Sequence, residues 1–448
     1  MLEKKETTSL ELREYQRCDV EFLKRHHSAG LFNEQRTGKT PTVITAIKEQ
    51  NISRSLVVVP ASMVYVWESE LHNWSSLRTF VCASTDFEIP ANTEVIIINY
   101  EKLRGREDVE KRLHKWKPQC IVIDEAHRMK DRKSKTFKTL SRFKYCEYRY
   151  CLTGTPAYDK PWDVWTLLNF LKGDQFSSYW NFIDTYFVQK QLRFGGRVVT
   201  QPAYFKPGKD RYLQAQISMF CTQRKRADVM DWQTSISPTM VILPPSPKEY
   251  QAVQSLEKWF EYEYIVTQGA LDTLVKCRQI CLDPEIAGLK GKSTKTEWIQ
   301  QYIKDYPNEQ ILIFSESKQY LKKLESDLIG CYLICGDTKK EDRARYIDGF
   351  QNGDVSVLLC QTQACKEGLT LDNADTCIFA SVFPPASDYQ QAADRFIATT
   401  REKDKPKKLF RLALDITTDR FCQVCIDKHI SQTDLINSYS KYLKGETS

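Results

Sequence analysis

The stretch NEQRTGKT, residues 33–40, ends in the way that a phosphate-binding loop ends. Gly38, Lys39 and Thr40 match the last part of the pattern G-x-x-x-x-G-K-[ST], whereas the first glycine of that pattern is absent. In such a loop, backbone N–H groups and a helix N-terminus bind phosphate, the lysine reaches the outer phosphates, and the threonine hydroxyl binds Mg²⁺. An isolated G-K-T also occurs at ordinary helix starts, so this stretch alone does not establish a nucleotide site.

Two adjacent acids, Asp124 and Glu125, end the apolar run CIVIDEAH at residues 120–127. At the end of a strand, Asp124 is placed to hold Mg²⁺, and Glu125 is placed to orient and deprotonate an attacking water. Each feature alone has an ordinary structural explanation, but the two together are much less common. The pair therefore favours a site that hydrolyses ATP, with ATP and Mg²⁺ bound by these residues.

The composition bounds the class of protein. The chain has 448 residues, 41% hydrophobic and 27% charged, which suits a globular protein of two or three domains. It lacks a run of 18 apolar residues, and its N-terminus lacks the apolar region of a secretory signal, so we expect no membrane partner. Fifteen scattered cysteines suggest reduced thiols and a cytoplasmic location, the host cytoplasm if the chain is phage-encoded. The net charge of +7 favours an anionic partner such as nucleic acid.

Short apolar runs alternate with helical patterns at both ends of the chain, which indicates the elements that would hold these residues. SLVVVPAS, EVIIINY and CIVIDEAH occur early, and ILIFSES and VSVLLCQTQA repeat the texture late. This alternation is typical of βαβ units around buried parallel sheets. We predict an α/β fold of two parallel-sheet lobes, at residues 1–170 and 291–448. Between them, residues 171–290 form a mainly helical insertion and linker that carries a β-hairpin.

Motifs along residues 12 to about 425 resemble, in order, those of superfamily-two helicases of the Swi/Snf-like branch. The matching stretches are LREYQ (12–16), LVVVPASMVYVWESELHNW (56–74), INYEKLR (98–104), DEAH (124–127), YCLTGTPAYDKPWDVWTLLNFL (150–171), CTQRKRADV (221–229), KCRQICLDP (276–284), ILIFSES (311–317), QTQACKEGLTLDNAD (361–375) and QQAADRFI (390–397). The compact chain is similar to phage-type members, including branch-migration helicases. The resemblance implies that both lobes are RecA-like.

The resemblance also implies roles for individual residues. It assigns ATP binding to Gln16, Arg36, Thr37, Gly38, Lys39, Thr40 and Gly368, with Gln16 reading adenine. It assigns catalysis to Lys39, Asp124, Glu125, Gln391 and Arg395, and the metal to Thr40 and Asp124. It assigns coupling of phosphate to DNA to His127, Thr153, Gly154 and Thr155. It assigns DNA contacts to Pro60, Ala61, Ser62, Tyr100, Ser315, Gln361 and Thr362.

Two positions depart from the family pattern. Arg36 stands where the family has a loop glycine, and Ala398 stands where motif VI has its second arginine, the finger on the γ-phosphate. Such fingers are worth about 10³ or more in rate. Three alternatives follow: Arg395 has that role, Arg401 reaches in from the next turn, or ATP turnover is slow.

A Gly-Gly pair within residues 192–200 predicts a two-residue β-hairpin. The hairpin is either architecture or a pin at a DNA fork. In the second case Phe194 would stack on an opened base, while Arg193 and Arg197 would contact phosphates.

Five further clusters receive structural or mixed interpretations. Residues 422–429, CQVCIDKH, offer three metal ligands without a fourth, and we favour core thiols over zinc. The basic runs 127–135 and 401–408 are either solvated surface or phosphate contacts. The aromatic clusters WNFIDTYF (180–187) and WFEYEY (259–264) have helical spacing, and we interpret them as core rather than as base-stacking surfaces.

The sequence as a whole predicts an ATP-dependent DNA helicase or translocase that acts on duplex, forked or branched DNA in replication, recombination or repair. One alternative is a double-strand translocase that remodels protein–DNA complexes without separating strands. Another is a DNA-binding scaffold with weak ATPase activity, and a third is an RNA motor.

Overall fold

A computed structural model describes residues 11–156, 160–194, 197–230, 236–365, 371–398, 405–428, 435 and 438–439. The chain divides into two compact units, Met1–Val229 and Met230–Ser448. Of the predicted insertion, residues 171–229 belong to the first unit and residues 230–290 to the second. The predicted boundaries at 170 and 290 stay predictions.

The first unit is built on a parallel sheet of seven strands. Its strands are β1 (Ser28–Leu31), β2 (Ser55–Val59), β3 (Thr79–Val81), β4 (Val95–Asn99), β5 (Cys120–Asp124), β6 (Tyr148–Leu152) and β9 (Cys221–Thr222), with β7 (Phe187–Phe194) and β8 (Arg197–Phe205) in a separate hairpin. Its helices are α1 (Glu14–Arg25), α2 (Lys39–Glu49), α3 (Val64–Trp74), α4 (Tyr100–Leu103), α5 (Glu107–Trp116), α6 (Lys135–Ser141), α7 (Trp165–Leu171), α8 (Tyr179–Tyr186), α9 (Lys209–Ser218) and α10 (Arg226–Val229). The strand order in the sheet is β3-β4-β2-β5-β6-β1-β9.

Alternating side chains of the central strands fill two cores, one on each face of this sheet. Leu56, Ile96 and Ile121 pack into one core, and their neighbours Val57 and Ile97 pack into the other. All five residues of β2, β4 and β5 are buried, as expected for parallel strands that are covered by helices on both faces.

The second unit repeats the architecture with six parallel strands. Its strands are β10 (Thr239–Leu243), β13 (Ile311–Ser315), β14 (Cys331–Ile334), β15 (Val357–Gln361), β16 (Thr376–Phe379) and β17 (Lys408–Leu414), with β11 (Glu261–Tyr262) and β12 (Ile265–Val266) in a separate hairpin. Its helices are α11 (Pro247–Trp259), α12 (Ala270–Leu282), α13 (Thr294–Asp305), α14 (Lys318–Asp327), α15 (Lys340–Asn352), α16 (Thr362–Cys365), α17 (Ala386–Asp394) and α18 (Thr417–Asp427). The strand order is β10-β17-β16-β13-β15-β14. The predicted α/β fold class with two parallel-sheet lobes is confirmed.

The predicted hairpin is present and longer than the sequence indicated. Strands β7 and β8 pair antiparallel from Phe187 opposite Phe205 to Phe194 opposite Arg197, with a bulge between Val188 and Gln189. Residues 195–196 and the side chains of residues 192–199 lie outside the described part of the chain. The roles predicted for Arg193, Phe194 and Arg197 therefore stay predictions.

The core interpretation of the aromatic clusters is partly wrong. In the cluster 180–187, Phe182 and Tyr186 are buried, but Trp180 is 51% exposed. In the cluster 259–264, Trp259 is 64% exposed and does not continue a helical stripe. The reason is that Phe260 ends α11 with a left-handed φ of 63°, after which the chain turns into the β11–β12 hairpin.

The two cysteines of the cluster 422–429 lie in the core, as predicted. Cys422 and Cys425 are buried on α18, and burial raises the pKa of the Cys425 thiol to about 12, as for an inert core cysteine. His429 lies outside the described residues. Within the described ranges, no group of three or more His, Cys, Asp or Glu side chains could hold a metal ion, and no helix is long and apolar enough to cross a membrane.

Candidate nucleotide site

The loop between β1 and α2 has the backbone conformation of a phosphate cradle. Arg36 and Gly38 both adopt left-handed φ angles, 63° and 71°. A Cβ atom at Gly38 would lie 2.0 Å from the Nε2 atom of Gln16, so this position requires glycine for space as well as for φ. Helix α2 begins at Lys39 and places its N-terminus at the end of the loop.

Side-chain bonds fix the shape of this loop. The ammonium of Lys39 donates to the carbonyls of Asn33 (2.9 Å) and Glu34 (3.0 Å). The hydroxyl of Thr37, itself buried, donates to the carbonyl of Glu34 at 2.8 Å. These bonds hold the lysine ammonium within the loop. A bound phosphate oxygen would replace the two carbonyls as its hydrogen-bond acceptor.

Gln16 lies against the same loop, as its predicted role in ATP binding requires. Its Oε1 accepts from the Arg13 N–H at 2.8 Å, and its Nε2 donates to the carbonyl of Thr37 at 3.2 Å. Tyr15 adds a hydroxyl bond to that carbonyl at 3.1 Å. Helix α1 therefore buttresses the loop, while adenine reading by Gln16 stays a prediction.

Asp124 ends β5 as a buried, anchored carboxyl group. The indole N–H of Trp67 donates to its Oδ2 at 2.8 Å, and the backbone N–H of Glu125 donates to its Oδ1 at 2.9 Å. Burial, with the charge of Glu125 in second place, raises the pKa of Asp124 to about 6. The two hydrogen bonds and the charge of Lys39 act in the opposite direction and favour the ionised form.

Glu125 and the predicted coupling residues form one contact chain. Glu125 has a left-handed φ of 48°, a conformation that is costly for a non-glycine residue and typical of functional sites. Its Oε2 lies 3.3 Å from Nδ1 of His127, which lies 3.0 Å from the hydroxyl of Thr153. That hydroxyl accepts from the N–H of Thr155 at 3.1 Å. The structure thus brings together the acidic pair and motif III.

Gly154 brings motif III into contact with the phosphate loop. A Cβ atom there would lie 3.1 Å from the backbone nitrogen of Gln35, closer than ordinary contacts allow. The hydroxyl of Thr155 is buried and has no hydrogen-bond partner among the described residues. A polar atom of this kind is suited to accept or donate to a ligand in the cradle.

A further set of residues, which the sequence reasoning did not assign to the site, supports the loop from behind. Strand β9 pairs with β1, and the carbonyl of Arg224 accepts from the N–H of Glu34 at 2.9 Å. The guanidinium of Arg224 lies 2.7 Å from the fully buried carboxylate of Asp19, which also accepts from Asn33 at 2.8 Å. The only signal in the sequence was the resemblance of residues 221–229 to a linking segment of the family.

The predicted DNA contacts in the first unit divide into exposed and buried residues. Ala61 and Ser62 are exposed beyond the end of β2, whereas Pro60 beside them is buried. Tyr100 is also buried, and its hydroxyl donates to the carbonyl of Asp124 at 2.6 Å. The Tyr100 ring therefore supports the end of β5, and the predicted DNA contact of Tyr100 stays a prediction.

In the second unit, the motif IV and motif V residues lie side by side. Ser315 and Gln361 are paired in register at the ends of β13 and β15, and Thr362 follows directly. Ser315 is fully buried, with its hydroxyl 2.9 Å from that of Ser381, and its predicted DNA contact stays a prediction. Thr362 is also largely buried, and Gln361 is half-buried.

Helix α17 carries the residues of motif VI. Gln391 is buried on the helix, and Arg395 lies half-buried at its end. Ala398, which stands where the family has the second arginine of motif VI, is buried. Gly368 and Arg401 lie outside the described residues, and the choice between Arg395 and Arg401 stays a prediction.

The two basic runs behave differently. In the run 401–408, Lys405 pairs with Asp375 at 2.6 Å and Lys408 pairs with Glu309 at 2.7 Å, so these two lysines have structural partners within the second unit. In the run 127–135, Lys130, Lys133 and Lys135 are exposed. Phosphate contact is therefore better supported for the run 127–135 than for the run 401–408.

The residues of the first unit fit Mg·ATP. A left-handed glycine, a lysine at a helix N-terminus, the hydroxyl of Thr40 and a carboxylate at the end of β5 are the groups that a nucleoside triphosphate and its metal ion require. The raised pKa of Asp124 also fits, because a bound Mg²⁺ would add positive charge beside this buried carboxylate and favour its ionised form.

Comparison with known proteins places the chain in a family. The SNF2-related domain matches residues 15–285, and the helicase conserved C-terminal domain matches residues 294–398. The mouse (Mus musculus) SWI/SNF-related matrix-associated actin-dependent regulator of chromatin subfamily A member 1 is 27% identical over 91% of this chain and 42% of its own length. The ISWI chromatin-remodeling complex ATPase ISW1 of Saccharomyces cerevisiae is 26% identical over 90% of this chain and 38% of its own length.

Among solved structures, the Sulfolobus solfataricus SWI2/SNF2 ATPase core in complex with dsDNA is 22% identical with a TM-score of 0.45, covering 98% of this chain and 94% of that one. The chain spans less than half of the length of the two relatives named above. Because the SNF2-related domain alone matches more than half of its residues, the chain belongs to the SNF2-related family and carries a helicase C-terminal domain after it.

Proposed function

We propose that this chain is a DNA-dependent ATPase that uses ATP hydrolysis to move along forked or branched DNA and separate or exchange its strands. The observation that carries the proposal is the convergence, in one unit, of a phosphate loop, an anchored buried aspartate and a strained glutamate. Lys39 follows β1, and Asp124 and Glu125 end or follow β5, at the same edge of one parallel sheet, where α/β proteins bind their ligands.

Each of these residues has a defined part in hydrolysis. Lys39 and the N-terminus of α2 bind the outer phosphates, while Thr40 and Asp124 hold the metal ion. Mg²⁺, when bound, neutralises phosphate charge. The carboxylate of Glu125 accepts a proton from the water whose oxygen attacks the γ-phosphorus, so that ADP leaves with the bridging oxygen. The resemblance assigns a catalytic role to Gln391 and Arg395 as well, which belong to motif VI.

The contact chain from Glu125 through His127 to Thr153 supplies the coupling. Loss of the γ-phosphate changes the charge beside Glu125, and the change reaches motif III through the 3.3 Å and 3.0 Å contacts. Gly154 in that motif packs against the phosphate loop, so the loop and motif III move together. The exposed residues Ala61 and Ser62, at the same edge of the sheet, are suited to touch the DNA backbone.

DNA as the partner is supported by the family, by the names of relatives and by the charge of +7. Relatives include a chromodomain-helicase-DNA-binding protein 8 from Xenopus tropicalis, 27% identical over 93% of this chain. The preference for forked or branched DNA rests on the β7–β8 hairpin, whose strands pair from Phe187 opposite Phe205 to Phe194 opposite Arg197.

The test is the ATPase rate of the full chain with single-stranded, duplex, forked and four-way DNA and with RNA. We expect stimulation by DNA, greatest with forked or four-way DNA, and its loss in Lys39→Ala and Glu125→Gln variants that still bind DNA. Near-wild-type hydrolysis in either variant would exclude the assigned site. Stimulation by RNA alone would make the chain an RNA motor.

A second candidate is a double-strand translocase that remodels protein–DNA complexes without separating strands. The chromatin-remodelling names of the relatives favour it. Strand displacement on a fork separates the two candidates, since only the helicase releases a strand. The scaffold alternative, with weak ATPase, is disfavoured because Lys39, Asp124 and Glu125 are all in place.

A further inference from the structure

The loop that follows DEAH packs onto an aromatic pair at the start of α8. The guanidinium of Arg132 lies 4.4 Å from the ring centre of Tyr179 and 5.5 Å from that of Trp180. The two rings meet edge to face at 5.2 Å. Tyr179 is half-buried, whereas Trp180 is 51% exposed, so one face of this group is open to solvent. We call Arg132, Tyr179 and Trp180 the arginine–tryptophan platform.

The platform has a rigid base. Tyr179 packs edge-on against Trp165 at 5.4 Å, and Trp165 packs against Phe137 at 5.9 Å within the core. Ser178 caps α8 by accepting from the N–H of Asn181. These contacts fix Tyr179 and, through the helix start, the backbone of Trp180.

The loop that carries Arg132 is fixed as well. Asp131 accepts from the N–H of Lys133 at 2.8 Å through its side chain and from the hydroxyl of Ser134 at 2.6 Å through its carbonyl. Ser134 in turn caps α6. Because both this loop and the start of α8 are fixed, the side chains of the platform lose little conformational freedom when they bind a ligand.

Exposed cations lie on the loop that carries Arg132 and on α6, which follows it. Lys133, Lys135 and Lys138 are exposed along the loop and α6. The exposed Arg104 and Arg106 flank Gly105, where a Cβ atom would lie 3.2 Å from the side chain of Lys135. The exposed acids in the same stretches are Asp131 and the first residues of α5. The group therefore combines an open indole face with several cations, which is the composition of a nucleic-acid track.

We infer that the arginine–tryptophan platform binds an unpaired stretch of the nucleic acid, with one base on the face of Trp180 and the backbone phosphates along the neighbouring cations. Paired bases in a duplex are already stacked, so an exposed indole gains affinity only from an unpaired base. This inference rests on the proposed function, because it takes the partner to be DNA. It adds a single-strand contact that lies outside the ATP site and the predicted DNA residues.

The experiment compares the affinity of the full chain for a single-stranded oligonucleotide and for a duplex of the same length, by fluorescence anisotropy. The variants are Trp180→Ala and Trp180→Phe. Trp259→Ala is the matched control, because Trp259 is also exposed, at 64%, and its ring centre lies 4.7 Å from the Lys258 ammonium, in the other unit. Thermal melting verifies that each variant is folded.

Trp180→Ala is expected to weaken single-strand binding about tenfold and duplex binding less than twofold. Trp180→Phe should keep most of the affinity, and Trp259→Ala should keep all of it. Equal weakening on RNA of the same sequence is expected, because stacking does not depend on the sugar. Unchanged single-strand binding, or equal losses on duplex and single strand, would overturn the inference.

A separate readout distinguishes this result from failure of the proposed function. If wild-type protein shows no DNA-stimulated hydrolysis, the proposed function fails. If hydrolysis is stimulated by DNA and Trp180→Ala binds single strands as wild type does, only the platform fails.

Discussion

At the scale of single residues, the bond from Trp67 to Asp124 controls the charge at the metal position. The indole N–H favours the ionised carboxylate, so the Trp67→Phe variant should raise the pKa of Asp124 above its present value of about 6. Below its pKa, Asp124 is protonated and cannot hold Mg²⁺. The acidic limb of the kcat/KM profile should therefore move to higher pH, measured between about pH 5.5 and 8.5 at a fixed Mg²⁺ concentration.

Trp74→Phe is the control for that measurement. Trp74 lies on the same helix, α3, but its partner is Glu70 rather than Asp124. The control should leave the limb in place. A limb that does not move in Trp67→Phe, or that moves equally in both variants, contradicts the assigned role of the indole.

Substitution of Arg36 should change stability and activity in opposite directions. Its left-handed φ of 63° costs roughly 1 kcal/mol for a non-glycine residue, so Arg36→Gly should raise the melting temperature slightly. The same change removes a positive charge beside the bound triphosphate, and we expect ATP hydrolysis to fall. Both quantities are measured on the same preparation.

The matched control for Arg36 is Lys117→Gly. Lys117 is exposed, has a φ of 54° and ends helix α5 before β5 begins, whereas Asp124 ends β5 at the opposite edge of the sheet. It should gain similar stability without losing activity. If Arg36→Gly hydrolyses ATP as fast as wild type, the arginine does not contribute to the site.

At the scale of elements, the β7–β8 hairpin should guide or separate strands. Its paired strands provide stiffness, and an aromatic side chain near its tip would supply a stacking face worth ~1–3 kcal/mol per base. Replacing residues 194–198 with a short Gly/Ser turn should therefore leave DNA-stimulated ATPase intact while unwinding of forked DNA falls sharply.

The two assays for this variant are hydrolysis and strand displacement on one forked substrate. A loss in both would mean that the hairpin supports the ATP site. Unwinding at the wild-type rate would make the hairpin architectural and would favour the translocase candidate.

At the scale of the whole molecule, the charge of +7 sets how DNA binding responds to salt. Binding that neutralises several phosphates releases counterions, so log Kd should rise linearly with log salt, with a slope of roughly 0.9 per phosphate contacted on duplex DNA. Binding of ATP analogues without DNA should respond far less. A DNA affinity that is flat between 50 and 200 mM salt would argue against a phosphate track.

Local sequence was sufficient to predict the loop between β1 and α2, the position of the acidic pair at a strand end, and the alternation of strands with helices. Lys39, Asp124 and Glu125 each end or follow a short apolar run, and chain order alone places such residues at one edge of a parallel sheet. Tyr100 and Ser315 were assigned to DNA by resemblance, but both point into the protein. Whether a polar side chain at a strand end faces solvent depends on the packing of its neighbours, which a single sequence does not specify.

The sequence by itself determined the fold class, the two sheets and the residue types of the ATP site, because hydrophobic periodicity and short motifs are local properties. Only the tertiary structure decided the partnerships between distant residues: Trp67 with Asp124, Arg224 with Asp19, and Arg132 with Tyr179 and Trp180. It also decided that Trp180 and Trp259 are exposed despite their helical spacing. The physical reason is that these contacts join residues tens to hundreds of positions apart, and their geometry is fixed by packing rather than by neighbours in the chain.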